Sequence, residues 1–81
     1  MINIQDIIPF MKDGWVAMDE DGEWHWWQNE PEQRLKNKGF SYWWELNGHM
    51  VCLSSVYDIA PANDWTKSLI KVENKDGLQK S

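Results

Sequence analysis

The sequence predicts an α+β fold: a short N-terminal helix packed on one face of a four- to five-stranded antiparallel sheet. Three observations lead there. Apolar residues recur first at helical spacing and then at strand spacing. Gly and Asn-Gly turn signals separate the alternating runs. The 81 residues suffice for one domain and no more. That domain is expected to span residues 1–72, with 73–81 a polar, disordered tail.

Ile4, Ile7, Ile8 and Met11 form one helical stripe. Asn3 is placed to cap it, with Asp6 three residues on. Gly14 is expected to close the helix in a left-handed turn. Pro9 lacks an N–H and crowds the preceding turn, so the helix should be kinked or cut short. Residues 15–19 and 23–28 read as a hairpin, with Gly22 at the left-handed position of a three-residue loop. That register sets Val16 opposite Trp26 and Met18 opposite Trp24 on one face. Trp15, Ala17, Asp19, Glu23, His25 and Trp27 take the other. Residues 29–39 read as a loop around Pro31, with one helical turn at 31–36. Residues 41–46 and 49–54 read as a second hairpin about Asn47-Gly48, pairing Leu46 with His49, Trp44 with Val51 and Tyr42 with Leu53. Asp64 can cap a short turn starting at Trp65. Residues 68–72 alternate as a last strand.

The helix stripe would then pack on Val16, Met18, Trp24, Trp26, Trp44, Val51 and Leu53. Each large side chain buried there contributes roughly 1.5–3 kcal/mol, which a domain this small needs. The chain holds seven Trp, two Tyr and two Phe, more indole than one thin interior hides. Trp15, Trp27 and Trp43 fall on the opposite face with Met50. Large exposed apolar patches are uncommon on soluble monomers. That face should therefore meet another subunit, a flat ligand, or the C-terminal segment folding back with Trp65 and Leu69. Alternatively, the sheet curls and the rings fill its concavity.

Charge is unevenly spread. Residues 1–33 carry eight acids (Asp6, Asp13, Asp19, Glu20, Asp21, Glu23, Glu30, Glu32) against the single base Lys12. Arg34, Lys36 and Lys38 follow at once, and the formal net charge is −5. This balance argues against duplex nucleic acid as a partner, since affinity there comes from neutralising phosphates. It suits a basic partner surface. No apolar run approaches the ~18 residues of a membrane span. Residues 1–13 lack the basic start and apolar centre of a signal peptide, so the expected location is cytoplasmic.

Signals for chemistry are weak. His49 and Cys52 are three apart in an expected strand and so point to opposite faces, and His25 has no ligand partner near it in sequence. No metal site is expected. The acidic turn at 19–23 lacks the Gly position and distal Glu of a calcium loop. Cys52 with either His lacks an orienting group, and no Gly-rich phosphate loop occurs. Neither catalysis nor a cofactor is expected. The candidate ligand residues are Trp15, Trp27 and Trp43 as stacking platforms, and Arg34, with Lys36 and Lys38, as phosphate contacts.

Two stretches carry a family resemblance. One is Met11-Lys12-Asp13-Gly14 leading into a Trp-bearing hairpin. The other runs from Asn47-Gly48 through Leu53-Ser54-Ser55 and Asp58-Ile59-Ala60 to Ala62-Asn63-Asp64-Trp65. Together they resemble the small phage and prophage family that includes the Thoeris anti-defence sponges. The resemblance implies a short helix on an antiparallel sheet and a last strand introduced by the Ala62–Trp65 motif. It implies a homo-oligomer that binds cyclic nucleotide immune signals without cleaving them, and it adds Asp64 and Trp65 to the candidate ligand residues. A relative that inhibits CRISPR nucleases implies an alternative, a protein–protein inhibitor of a host defence complex. A carbohydrate-binding module with Trp platforms is a third possibility, opposed by the missing secretion signal.

Overall fold

In the computed structural model, which describes residues 1–35, 38–39 and 41–73, the chain is a small α+β globule. Helix α1 (Ile4–Ile7) runs into a 3-10 turn (Ile8–Phe10). Strands β1 (Gly14–Met18), β2 (Trp24–Trp27), β3 (Glu32–Arg34), β4 (Tyr42–Trp44) and β5 (Met50–Cys52) follow. A second 3-10 turn (Trp65–Lys67) leads to β6 (Ile70–Val72). One sheet has the order β5-β2-β1-β6, all antiparallel; β3 and β4 form a separate two-stranded hairpin. Among the described residues no helix is long and apolar enough to cross a membrane.

The helix follows its sequence signals. The Asn3 side chain accepts from the Gln5 N–H at 2.9 Å, and Pro9 sits in the 3-10 turn that ends the α-helical run. The N-terminus is stapled to residues 58–60: Ile2 donates to the Asp58 carbonyl, and the Ala60 N–H donates back to Ile2. Beneath the helix lies a core of Ile4, Val16, Met18, Trp24, Leu53, Ile59 and Val72, flanked by Ile7, Ile8, Met11 and Trp26.

The first hairpin has the expected register, Val16 opposite Trp26 and Met18 opposite Trp24. Gly22 has φ +93° in a loop closed by the Asp19 N–H on the Glu23 carbonyl. Gly14 has a different role from the one expected. It is the first residue of β1 and its φ is not positive. A Cβ there would lie 2.5 Å from the Trp27 carbonyl oxygen and 2.8 Å from the Trp26 ring. Close approach, not left-handed backbone, requires the glycine.

The expected second hairpin does not form. Strand β5 pairs with β2 (His25 with Cys52, Trp26 with Val51, Trp27 with Met50), and β4 pairs with β3 (Glu32 with Trp44, Gln33 with Trp43, Arg34 with Tyr42). A tight Asn-Gly hairpin needs positive φ at both turn residues, and neither Asn47 nor Gly48 has it. Instead, the Glu45 carboxylate accepts from the Gly48 N–H, and the Asn29 and Glu45 side chains crowd the space a Cβ would take. This turn separates two strands rather than joining a pair. The expected helical turn at 31–36 is replaced over 32–34 by β3; Lys36 and Asn37 lie outside the described residues. Trp44 therefore leaves the helix side. It is 40% exposed, with its ring edge-on to Trp27, and Val51 is exposed as well. The expected tail lies outside the described residues beyond Glu73.

Candidate functional site

The second face of the sheet has its own interior. Ala17, Trp27 (2% exposed) and Trp43 (6% exposed) form it, with Trp15, Trp65 and Leu69 half-buried around them. The chain itself supplies this cover, by the β3–β4 hairpin and the 65–69 segment. The acidic turn fastens the hairpin. Asp19 Oδ1 accepts from the Trp43 N–H at 2.8 Å, Glu20 Oε1 accepts from the Ser41 N–H at 2.8 Å, and the Glu20 N–H donates to the Ser41 carbonyl. Gln33 Nε2 ties β3 to the Thr66 carbonyl at 2.7 Å. Ser68 Oγ accepts from the Met18 N–H at 2.8 Å, fixing the final segment to β1.

A cleft of about 360 Å3 opens where the hairpin meets β2 and β5. Its lining is polar at Asp19, Asp21, Glu23 and His25 and apolar at Trp27, Tyr42, Trp43, Trp44 and Met50. The rings meet edge to face. Trp27 and Trp44 centroids are 6.3 Å apart at 75°, and Tyr42 and Trp44 are 6.3 Å apart at 88°. Such pairs hold one another's orientation. His25 Nδ1 lies 3.6 Å from Asp19 Oδ2. Burial pushes the Asp19 carboxyl above the usual carboxylate range, and the nearby Asp21 and Glu23 charges add to that. The Trp43 N–H and the His25 ring act the other way.

Two buried side-chain polar atoms among the described residues have no hydrogen-bond partner, His25 Nδ1 and Trp27 Nε1, and both belong to residues lining this cleft. Buried donors and acceptors are ordinarily satisfied, so this pairing of vacant hydrogen bonds with an open cleft marks the cleft as the candidate site.

The residues expected from sequence to bind a ligand are dispersed. Trp27 and Trp43 are interior side chains whose faces are covered. Trp15 is half-buried, with Lys71 Nζ 5.7 Å over its ring. Arg34 is exposed on β3, opposite Tyr42. Asp64 caps the second 3-10 turn, its Oδ1 accepting from the Thr66 N–H at 3.0 Å and the Thr66 hydroxyl at 2.6 Å. Those bonds hold its carboxyl below the usual range. Trp65 is a wedge between the two interiors; its carbonyl accepts from Trp43 Nε1 at 3.2 Å and its ring meets Trp43 edge-on. Only Trp27 and Trp43 reach the cleft. Sequence reasoning missed Asp19, Asp21, Glu23, His25, Tyr42, Trp44 and Met50 as site residues. Asp19, Glu23 and His25 sharing a face was legible from the first hairpin; their meeting with β4 was not.

No protein-family model, curated protein or solved structure matches this chain.

Proposed function

We propose that the protein is a non-enzymatic binding protein whose cleft receives a basic side chain, arginine above all, from a partner protein's surface. One observation carries this reading: three carboxylates, Asp19, Asp21 and Glu23, line a single cleft together with Tyr42 and Trp44. A planar guanidinium donates to carboxylates in pairs and stacks on aromatic rings, so it uses both kinds of lining residue. A cation over an aromatic face contributes about 0.5–2 kcal/mol depending on desolvation. An arriving cation also favours the ionised form of Asp19, which burial penalises. The cleft suits a phosphate poorly, because three carboxylates repel it. That favours the inhibitor or adaptor alternative over capture of a cyclic nucleotide. It also gives self-association no special role, since the second face is covered from within. A phage-type anti-defence role stays compatible with this reading through the choice of partner.

The test is a fluorescence titration with nona-arginine, against nona-glutamate and a cyclic dinucleotide. Arginine peptide should bind and should weaken steeply with salt, as exposed charges are screened within about 8 Å at physiological ionic strength. Trp44→Ala leaves the net charge unchanged and should weaken binding about tenfold, matching a lost cation–π contact. Asp6→Asn, away from the cleft, should change little. Equal weakening by both variants, or tighter binding of the dinucleotide, overturns the proposal.

A further inference from the structure

The β2–β5 pairing creates a constellation that neither strand announces. Glu23 immediately precedes β2 and His25 lies in it, and both side chains line the same cleft. Cys52 is the cross-strand partner of His25 and shares its face. One ligand atom from each of Glu23, His25 and Cys52 lies within 4.8 Å of the others. Asp19 stands behind, its Oδ2 3.6 Å from His25 Nδ1, a buried nitrogen with no hydrogen-bond partner.

We propose that Glu23, His25 and Cys52 bind a divalent transition metal, with zinc the best chemical fit, and that Asp19 orients the imidazole. Thiolate plus imidazole selects zinc or cobalt over calcium and magnesium, which take oxygen donors. Zinc holds sulfur at about 2.3 Å and nitrogen or oxygen at about 2.0–2.2 Å, so ligand atoms around one tetrahedral ion lie about 3.3–3.7 Å from each other. Closure to that spacing takes rotation of the exposed, long Glu23 side chain together with small adjustments of the half-buried His25 and Cys52 side chains. Nδ1 already lies against Asp19, so Nε2 is assigned as the ligand. Metal-bound histidines ordinarily give their other N–H to a carboxylate, which satisfies the vacant Nδ1 here. Three protein ligands leave a fourth position for water or a donor from a partner. Binding neutralises Glu23 and the Cys52 thiolate while Asp19 and Asp21 keep their charge. The cleft therefore stays acidic, and the metal site stands whether or not the basic-partner reading holds.

The experiment adds Co2+ alone to the full chain at neutral pH under reducing conditions and records the absorption spectrum. The expected result is a saturating thiolate-to-cobalt charge-transfer band with intense tetrahedral visible bands, abolished by excess Zn2+. Cys52→Ser should remove the charge-transfer band. His25→Gln should weaken binding at least about 100-fold, and Asp19→Asn, as a positioning change, about 10–100-fold. Asp19→Asn should keep the charge-transfer band at saturation, which loss of the fold would not allow. His49→Gln, on the opposite side of the sheet in the groove with Trp26, should bind as the parent does. Absence of the charge-transfer band in the parent protein overturns the proposal without recourse to any variant. So does an unchanged midpoint in His25→Gln.

Discussion

On the helix side of the sheet, Trp24 is closed over by α1 and the 58–62 segment, and its indole N–H donates to the Ala60 carbonyl at 3.1 Å. On the other side, Trp27 is closed over by the β3–β4 hairpin, and its indole N–H donates to nothing. Both rings are nearly fully buried and both stand on β2. The helix side is an apolar interior whose buried side-chain polar groups, among the described residues, are satisfied. The hairpin side keeps a buried carboxylate, and an imidazole nitrogen and an indole N–H without hydrogen-bond partners, beside an open cleft. Departures from local consistency concentrate where a fold serves something besides its own stability. The comparison points to the hairpin side as the working face.

The largest effect should come from emptying either interior. Trp24→Ala and Trp27→Ala should each cost about 3–5 kcal/mol in chemical denaturation. If the hairpin side were a loose flap, Trp27→Ala would cost far less than Trp24→Ala and the two-interior description would fail. Next, Gly14→Ala should cost about 1–3 kcal/mol, because the new methyl meets backbone and a ring fixed on both sides. A sharper comparison replaces each Trp by Phe. The volume lost is the same, but Trp24→Phe also strands the Ala60 carbonyl, whereas Trp27→Phe removes an unsatisfied donor. Trp24→Phe should be the more destabilising by about 1–2 kcal/mol. Equal costs would mean that the Trp27 N–H finds water or another partner in solution. Gly22→Ala should cost about 1 kcal/mol, the penalty for left-handed backbone with open space around it.

The smallest effect concerns pH. The Asp64 carboxyl is held below its usual range by the Thr66 hydroxyl and N–H. The unfolded chain takes up the proton first as pH falls. Stability from this group is therefore complete above the ordinary carboxylate pKa, and it disappears as pH drops through the lowered folded value. Asp64→Asn should flatten that part of the acid side of a stability–pH profile; an unchanged profile would show that the cap contributes nothing measurable.

Much of the helix side was legible because its signals are local. Asn3, Pro9 and the Ile4–Met11 stripe act within a few residues, and Gly22 sets the register that places Val16, Met18, Trp24 and Trp26 on one face. The abundance of indole was legible too, but not its resolution: six of the seven rings pack in or against two interiors, and Trp44 is left exposed. Asn47-Gly48 misled because turn chemistry speaks for a hairpin only when the flanking strands have no better partners. Here β2 takes β5 and the short β3 takes β4.

By itself, the sequence determined the fold class, the first hairpin with its register, and the capped and shortened helix. Each rests on interactions between residues close in the chain, where little loop entropy opposes contact. Only the tertiary structure decided which strands pair, that Asp19 and Glu20 clasp Ser41 and Trp43, and that Glu23, His25 and Cys52 meet. The clasp, the Glu23–His25–Cys52 cluster and the β2–β5 pairing join segments about twenty to thirty residues apart, and β1 with β6 more than fifty. Their free energy comes from fitting whole faces together, and no local pattern encodes that fit.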